Sequence, residues 1–334
     1  MELVEHIDRI ALDTGFSGAV RVDRDGEVAL ARAYGQAHRG LGVPNTVDTQ
    51  FAVASGNKGL TALAVVSLIE EGVLELATTA RSILGPDLPL IADDVTVESL
   101  LAHRSGIGDY IDEDDESIGP TDHVLAVPVH ELATTEQFLA VLDGFPTKFP
   151  VGERFSYCNG GFVVLALLAE RASGTPFHDL VAERVCRPAG LDRSAFLRSD
   201  ELPGTAAVGY LDGEGPRSNV FHLPVRGSGD GGLYTTVGDV HRFWAAFLDG
   251  RIVSPAWVAE LTRPRSDVPD EGMRYGLGFW LHATGAAVIL IGADAGVSFR
   301  SVHDPAAGIT HTVVSNTTSG AWKVTRALDD LLST

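Results

Sequence analysis

Residues Phe51 to Ile69, FAVASGNKGLTALAVVSLI, form a run apolar enough to become a buried helix, yet the run carries a lysine. The chain uses lysine only three times, at Lys58, Lys148 and Lys323, against twenty-two arginines. Burying an ammonium group costs several kcal/mol unless it is paired or gives up its proton. A helix of this kind needs a large interior around it, and Lys58 needs a polar partner inside that interior. With 334 residues and 45% apolar composition, the chain has the material for such a core, as one large domain or two closely fused ones.

The rest of the composition narrows the function by exclusion. A formal net charge of −20 argues against nucleic acid or an anionic membrane as partner, because phosphate-rich surfaces require basic patches. The acidic run Asp112 to Glu116 reads as an exposed loop, since it lacks the regular ligand spacing and turn glycine of a calcium loop. Cys158 and Cys186 fall in no Cys-x-x-Cys or Cys/His pattern, and two cysteines in so long a chain imply no disulfide framework. The opening MELVEHIDRIALDTG has acids before any base and fits an amphipathic helix rather than a signal peptide. No run of about eighteen apolar residues is present to span a bilayer. The expectation is a soluble, cytoplasmic protein.

Along the chain, GAVRVDRDGEVALARAYG reads as two strands joined at Asp25-Gly26. Helical spacing follows over Val95 to Ala102, Thr134 to Leu142, Gly160 to Ala172 and Val237 to Leu248. Strand-like runs return at Gly276 to Leu281, Ala286 to Ile291, Val297 to His303 and Ile309 to Ser315, before a last helix over Ala321 to Leu332. Strands at both ends and helices between them predict an α/β fold of the α+β type. In it one antiparallel sheet is built from the N- and C-terminal segments (1–54 and 265–334), with a mainly helical region (55–264) inserted.

Within that frame Ser55 and Lys58 are candidates for chemistry. If a helix begins just after Ser55, the two lie one turn apart on the same side, at a helix end whose free N–H groups favour an alkoxide or oxyanion. Lowering a lysine pKa from about 10.4 to near 7 requires roughly 4–5 kcal/mol, and apolar surroundings push in that direction. Farther along, FSYCNGGFVVLALLAE places Tyr157 and Asn159 directly before a second apolar helix. A phenol beside an amine shares its proton, so the base for Ser55 is either a Tyr157 phenolate beside charged Lys58 or neutral Lys58 beside neutral Tyr157. His103 and Ser105, in LLAHRSGIGDY, read as a loop-fixing motif around Gly106 rather than as a Ser–His pair.

Together these segments resemble the serine β-lactamase-like superfamily, in the branch of class C β-lactamases, D-alanyl-D-alanine carboxypeptidases and related esterases. The resemblance runs over nearly the whole chain, through the Asp25-Gly26 hairpin, the Ser55-x-x-Lys58 helix, HRSGIGDY, Tyr157-x-Asn159, GDGGLYTTVGDVHRFWAAFLDG and YGLGFW. It implies an antiparallel sheet domain and a helical domain with the active site at their junction. It also implies Ser55 as nucleophile, Lys58 as base partner, Tyr157 as proton shuttle and Asn159 as polar orienter. The family's third element, Lys-Thr-Gly or His-x-Gly on a late strand, is matched to Ala293-Asp294-Ala295 in IGADAGVSFRS. There the cation is lost and Asp294 brings a negative charge, and Gly296 becomes the expected oxyanion donor beside Ser55. The implied function is a serine hydrolase forming an acyl-enzyme on a small ester or amide, with no metal or organic cofactor. The alternatives are a β-lactamase, a D-amino-acid peptidase, or a non-catalytic relative that binds a ligand in the old cleft.

Overall fold

The computed structural model describes residues 2–113, 119 and 121–332. Of the acidic run, Asp112 and Glu113 are described and Asp114 to Glu116 lie outside the described residues. Helix α1 (Glu2–Thr14) leads into the hairpin β1 (Gly18–Arg24) and β2 (Glu27–Tyr34). The helical middle includes α2 (Lys58–Glu70), α3 (Asn159–Ser173) and α4 (Val237–Leu248). Six strands follow: β3 (Ser266–Val268), β4 (Met273–Tyr275), β5 (Trp280–His282), β6 (Val288–Asp294), β7 (Val297–Asp304) and β8 (Ile309–Ser315). Helix α5 (Ala321–Leu332) closes the described chain.

The eight strands form one antiparallel sheet in the order β2-β1-β8-β7-β6-β5-β4-β3. Its seam joins the two ends of the sequence, from Gly18 opposite Ser315 to Arg24 opposite Ile309. Side chains alternate between faces along a strand, and the two faces bury separate cores. Val20, Val22 and Val313 pack with Ile7 of α1 and Val324 and Leu328 of α5. Ala19, Leu290, Phe299 and Val314 pack on the other side with α2 and α4.

Helix α2 is buried on every side from Lys58 to Leu68, which is what its unbroken apolar sequence requires. The chain enters it through a 3₁₀ turn, Ala54–Asn57, so Ser55 sits inside that turn rather than just ahead of the α-helix. Ala54 adopts φ +45°, a conformation an L-residue seldom takes and one that functional turns often hold.

Two expected elements differ. Of the strand anticipated over Gly276 to Leu281, only Trp280 and Leu281 lie in a strand, β5, and residues 276–279 make the tight connection from β4; Gly278 turns there at φ +83° and lies against Ala62 of α2. The helix over Thr134 to Leu142 divides into a 3₁₀ turn, Thr135–Phe138, and a single α turn, Leu139–Leu142. Both cysteines are free and buried. Among the described residues no helix is long and apolar enough to cross a membrane.

Candidate active site

The buried lysine has its partners. Lys58 is 2% exposed, and its Nζ lies 2.9 Å from Ser55 Oγ, 2.7 Å from Asn159 Oδ1 and 2.8 Å from the carbonyl oxygen of Asp230. The amine is therefore surrounded by three oxygen partners, one of them the serine hydroxyl. Burial pulls the Lys58 pKa down, while Asp230, Glu113, Asp109 and Asp294 work against that pull. Tyr157 brings its ring to 4.8 Å from the same Nζ and its hydroxyl to Ser55. Burial and the charge of Glu113 hold that phenol well above its ordinary pKa. Ser55, Lys58, Tyr157 and Asn159 thus meet around one hydroxyl.

What holds Tyr157 and Asn159 in place is less evident from sequence. Asp109 accepts from the backbone N–H of Asn159 at 2.6 Å and of Gly160 at 2.8 Å, satisfying two free donors at the start of α3 with one carboxylate. Burial raises the Asp109 carboxyl to about 6 despite these bonds. His103, at φ +53°, accepts the Cys158 N–H on Nδ1 at 3.1 Å, and its carbonyl accepts the Ser156 N–H at 2.9 Å. Its ring lies 4.3 Å from that of Tyr157. Burial, reinforced by the charge of Lys58, keeps the imidazole pKa well below its ordinary value. A neutral ring that fixes the backbone on either side of Tyr157 is a positioning group.

The third side of the site is strand β6. A Cβ built on Gly292 would fall 2.0 Å from the Val53 carbonyl oxygen, 2.8 Å from the Gly56 nitrogen and 2.9 Å from the Ser55 nitrogen. Only a residue without a side chain lets this strand touch the turn that carries Ser55. Gly292 is therefore the glycine of the late-strand element, and the three corresponding positions are Leu290-Ile291-Gly292, not Ala293-Asp294-Ala295. Leu290 faces Gly59 of α2 and belongs to the core, so an apolar side chain fills the position expected for a cation.

Gly296 is likewise corrected. Its N–H donates to Thr318 Oγ1 at 2.9 Å within the β6–β7 turn and is not free for an oxyanion. The donor that register leaves free is on Ala293. Asp294 opposite Val297 closes the hairpin, and alternate pairs in an antiparallel ladder exchange no hydrogen bonds. The next pair, Ala293 with Ser298, is one of those, so the Ala293 N–H points off the ladder, away from β7.

The family profile described as Beta-lactamase matches residues 5–333. The chain belongs to the Beta-lactamase family. In solved structures its fold is similar to a penicillin-binding protein from Bacillus halodurans, with a TM-score of 0.91 and 33% identity, covering 97% of this chain and 99% of that one. Among curated proteins it is similar to a D-aminopeptidase of Brucella anthropi, 30% identical over 81% of this chain and 50% of the relative. It is also similar to esterase EstB of Burkholderia gladioli, 34% identical over 59% of this chain and 51% of the relative. The chain thus spans about half the length of these two curated relatives.

Relative to the sequence reading, this Beta-lactamase family site gains Asp109, Tyr110, Glu113, Asp230 and Gly292. Asn159 Nδ2 donates to Glu113 Oε1 at 2.8 Å and to the Ile111 carbonyl at 3.2 Å, so the loop after Tyr110 reaches the site. The Tyr110 hydroxyl donates to the Asp230 carboxylate. The sequence held a signal for two of these. Asp230 lies in GDGGLY, and Gly292 is the one glycine inside an otherwise apolar strand. Beside the Ser55 turn opens a cavity of about 640 Å³ including its mouth, lined in part by Tyr110, Phe138, Asn219, Asp230, Gly231 and Asp294.

Proposed function

We propose that the protein is a serine hydrolase that forms an acyl-enzyme on Ser55 from a small ester or amide. The observation carrying this reading is the 2.9 Å contact between Ser55 Oγ and the Nζ of a lysine that is 2% exposed. Of the two protonation arrangements open at the sequence level, the environment favours a neutral phenol. The Tyr157 pKa is driven up by burial and Glu113, while burial drives that of Lys58 down. Neutral Lys58 then takes the Ser55 proton as Oγ attacks the carbonyl carbon. The N–H groups of Ser55 and Ala293 hold the oxyanion, a contribution worth about 10²–10³ in rate per donor. Tyr157 hands its proton to the leaving oxygen or nitrogen and recovers one from Lys58. Water then attacks the acyl carbon by the same route in reverse and releases the acid.

An ester is favoured over an amide because its leaving group needs less help from Tyr157. A β-lactam or a peptide C-terminus is disfavoured. Both bring a carboxylate, and this site offers Leu290 where a cation would meet it and Asp294 nearby. The test is intact mass after exposure to a fluorophosphonate, with wild type beside Ser55→Ala. One adduct on wild type alone supports the reading. Equal labelling of both, or ester turnover that survives Ser55→Ala, overturns it.

A further inference from the structure

The cavity beside Ser55 sets two carboxylates into a wall that is otherwise mostly apolar side chains and glycines. Asp230 and Asp294 both line it. Asp294 follows Gly292 by two residues on β6, so its side chain leaves the strand on the face that touches Ser55. Ser228 also lines the cavity; it is 1% exposed, and its hydroxyl has no hydrogen-bond partner among the described residues. The Ser199 hydroxyl, on the same wall, likewise lacks one.

Several donors nearby are already engaged: one Asn219 amide proton goes to the Ala295 carbonyl at 2.8 Å, the Tyr110 hydroxyl donates to Asp230, and Lys58 Nζ contacts Ser55, Asn159 and the Asp230 carbonyl. Among the described residues lining the cavity there is no lysine, arginine or histidine. Two carboxylates with no cation among these residues leave the cavity short of positive charge. The ligand has to bring it, and an ammonium group, whose three donors carboxylates and hydroxyls can accept, supplies it.

We infer that the substrate's acyl part carries a primary amine, seated between Asp294 and Asp230 with Ser228 within the same wall, so that these residues select amino-acid-like esters or amides over neutral ones. The inference rests on the acyl-enzyme reading above and adds the charge of the substrate. Selection of this kind acts through the bound amine and requires no change in the steps at Ser55.

The test compares the methyl esters of 2-aminopropionate, as either enantiomer, with the same esters after N-acetylation and with 2-methylpropionate. Turnover is followed by acid release for wild type and Asp294→Asn. The expected result is a kcat/KM for the better amine enantiomer at least tenfold above both neutral esters in wild type, with that ratio falling at least tenfold in Asp294→Asn. Because the readout is a ratio, a general loss of activity in the variant cancels. A ratio at or below one in wild type, or a ratio unchanged by Asp294→Asn, overturns the inference while leaving the hydrolase reading intact. Loss of the hydrolase reading shows separately, as no fluorophosphonate adduct and no turnover of any ester. In that event binding of 2-aminopropionamide, measured by calorimetry against its N-acetyl form on both proteins, decides the charge preference. Equal binding of the two forms overturns it.

Discussion

Gly292→Ala is the sharpest test of how the site is assembled. The added Cβ would stand 2.0 Å from the Val53 carbonyl oxygen, and ordinary contact begins near 3.4 Å, so strand or turn must give way by about 1.4 Å. The obstacle is backbone on both sides, because the Gly56 and Ser55 nitrogens lie within 2.9 Å of the same point. Overpacking of this kind costs about 1–3 kcal/mol of stability. The catalytic cost is larger, since a 1 Å misplacement costs about 10²-fold and loss of one oxyanion donor about 10²–10³-fold. We expect kcat for a neutral ester to fall at least 10²-fold, with melting temperature lowered by only a few degrees. Circular dichroism melts and steady-state kinetics on the same preparation check this. A Gly292→Ala enzyme retaining more than a tenth of wild-type kcat would refute the placement of β6 against Ser55 as the basis of the site.

Gly296→Ala makes the contrast. It places a side chain at φ +74° against Asn219, so it should lower the melting temperature while leaving kcat within about tenfold of wild type. Asp109→Asn keeps the shape but turns an amide toward one of the two N–H groups now accepted. It should cost about 1–3 kcal/mol in a denaturant melt and lower kcat more than it changes KM, because Asn159 and Lys58 lose their anchor. The pH dependence of stability follows from Asp294, whose carboxyl is raised by burial to about 7 from an ordinary 3.8. Between pH 4 and 7 the folded state binds a proton that the unfolded state has lost, so this group's contribution to stability falls as pH rises through that window. Asp294→Asn removes the loss. Its stability relative to wild type should grow from pH 4 to 7 and level above it, by about 1–2 kcal/mol once water at the cavity mouth is allowed for. A constant difference across that range would contradict the assignment.

The sequence made the fold class legible because its strongest signals were periodic and unmixed. The Asp25-Gly26 hairpin, the two all-apolar helices and the strands after Ala286 each agree with their surroundings. Ser55, Lys58 and the Tyr157-x-Asn159 segment, which the fold brings together, were visible for the same reason, since polar residues in apolar runs stand out. Asp109 and Glu113 were not, because nothing local distinguishes a carboxylate that caps a distant helix from one facing water. The late strand was misplaced by three residues. Its register against the nucleophile is fixed by a contact across more than two hundred positions, between Gly292 and Val53, and no spacing within IGADAGVSFRS encodes that contact.

Because the sheet is closed by pairing Gly18–Arg24 with Ile309–Ser315, and because Gly292 arrives long after Ser55, the reactive centre cannot mature early during synthesis. A ribosome that has made the first two thirds of the chain has released the serine and its lysine, but neither the strand that shapes their turn nor the Ala293 amide. The surroundings of Ser55 are complete only when the last strands dock. Any activity that depends on this site is therefore a reporter of complete folding, and truncated products should be inert rather than indiscriminately reactive.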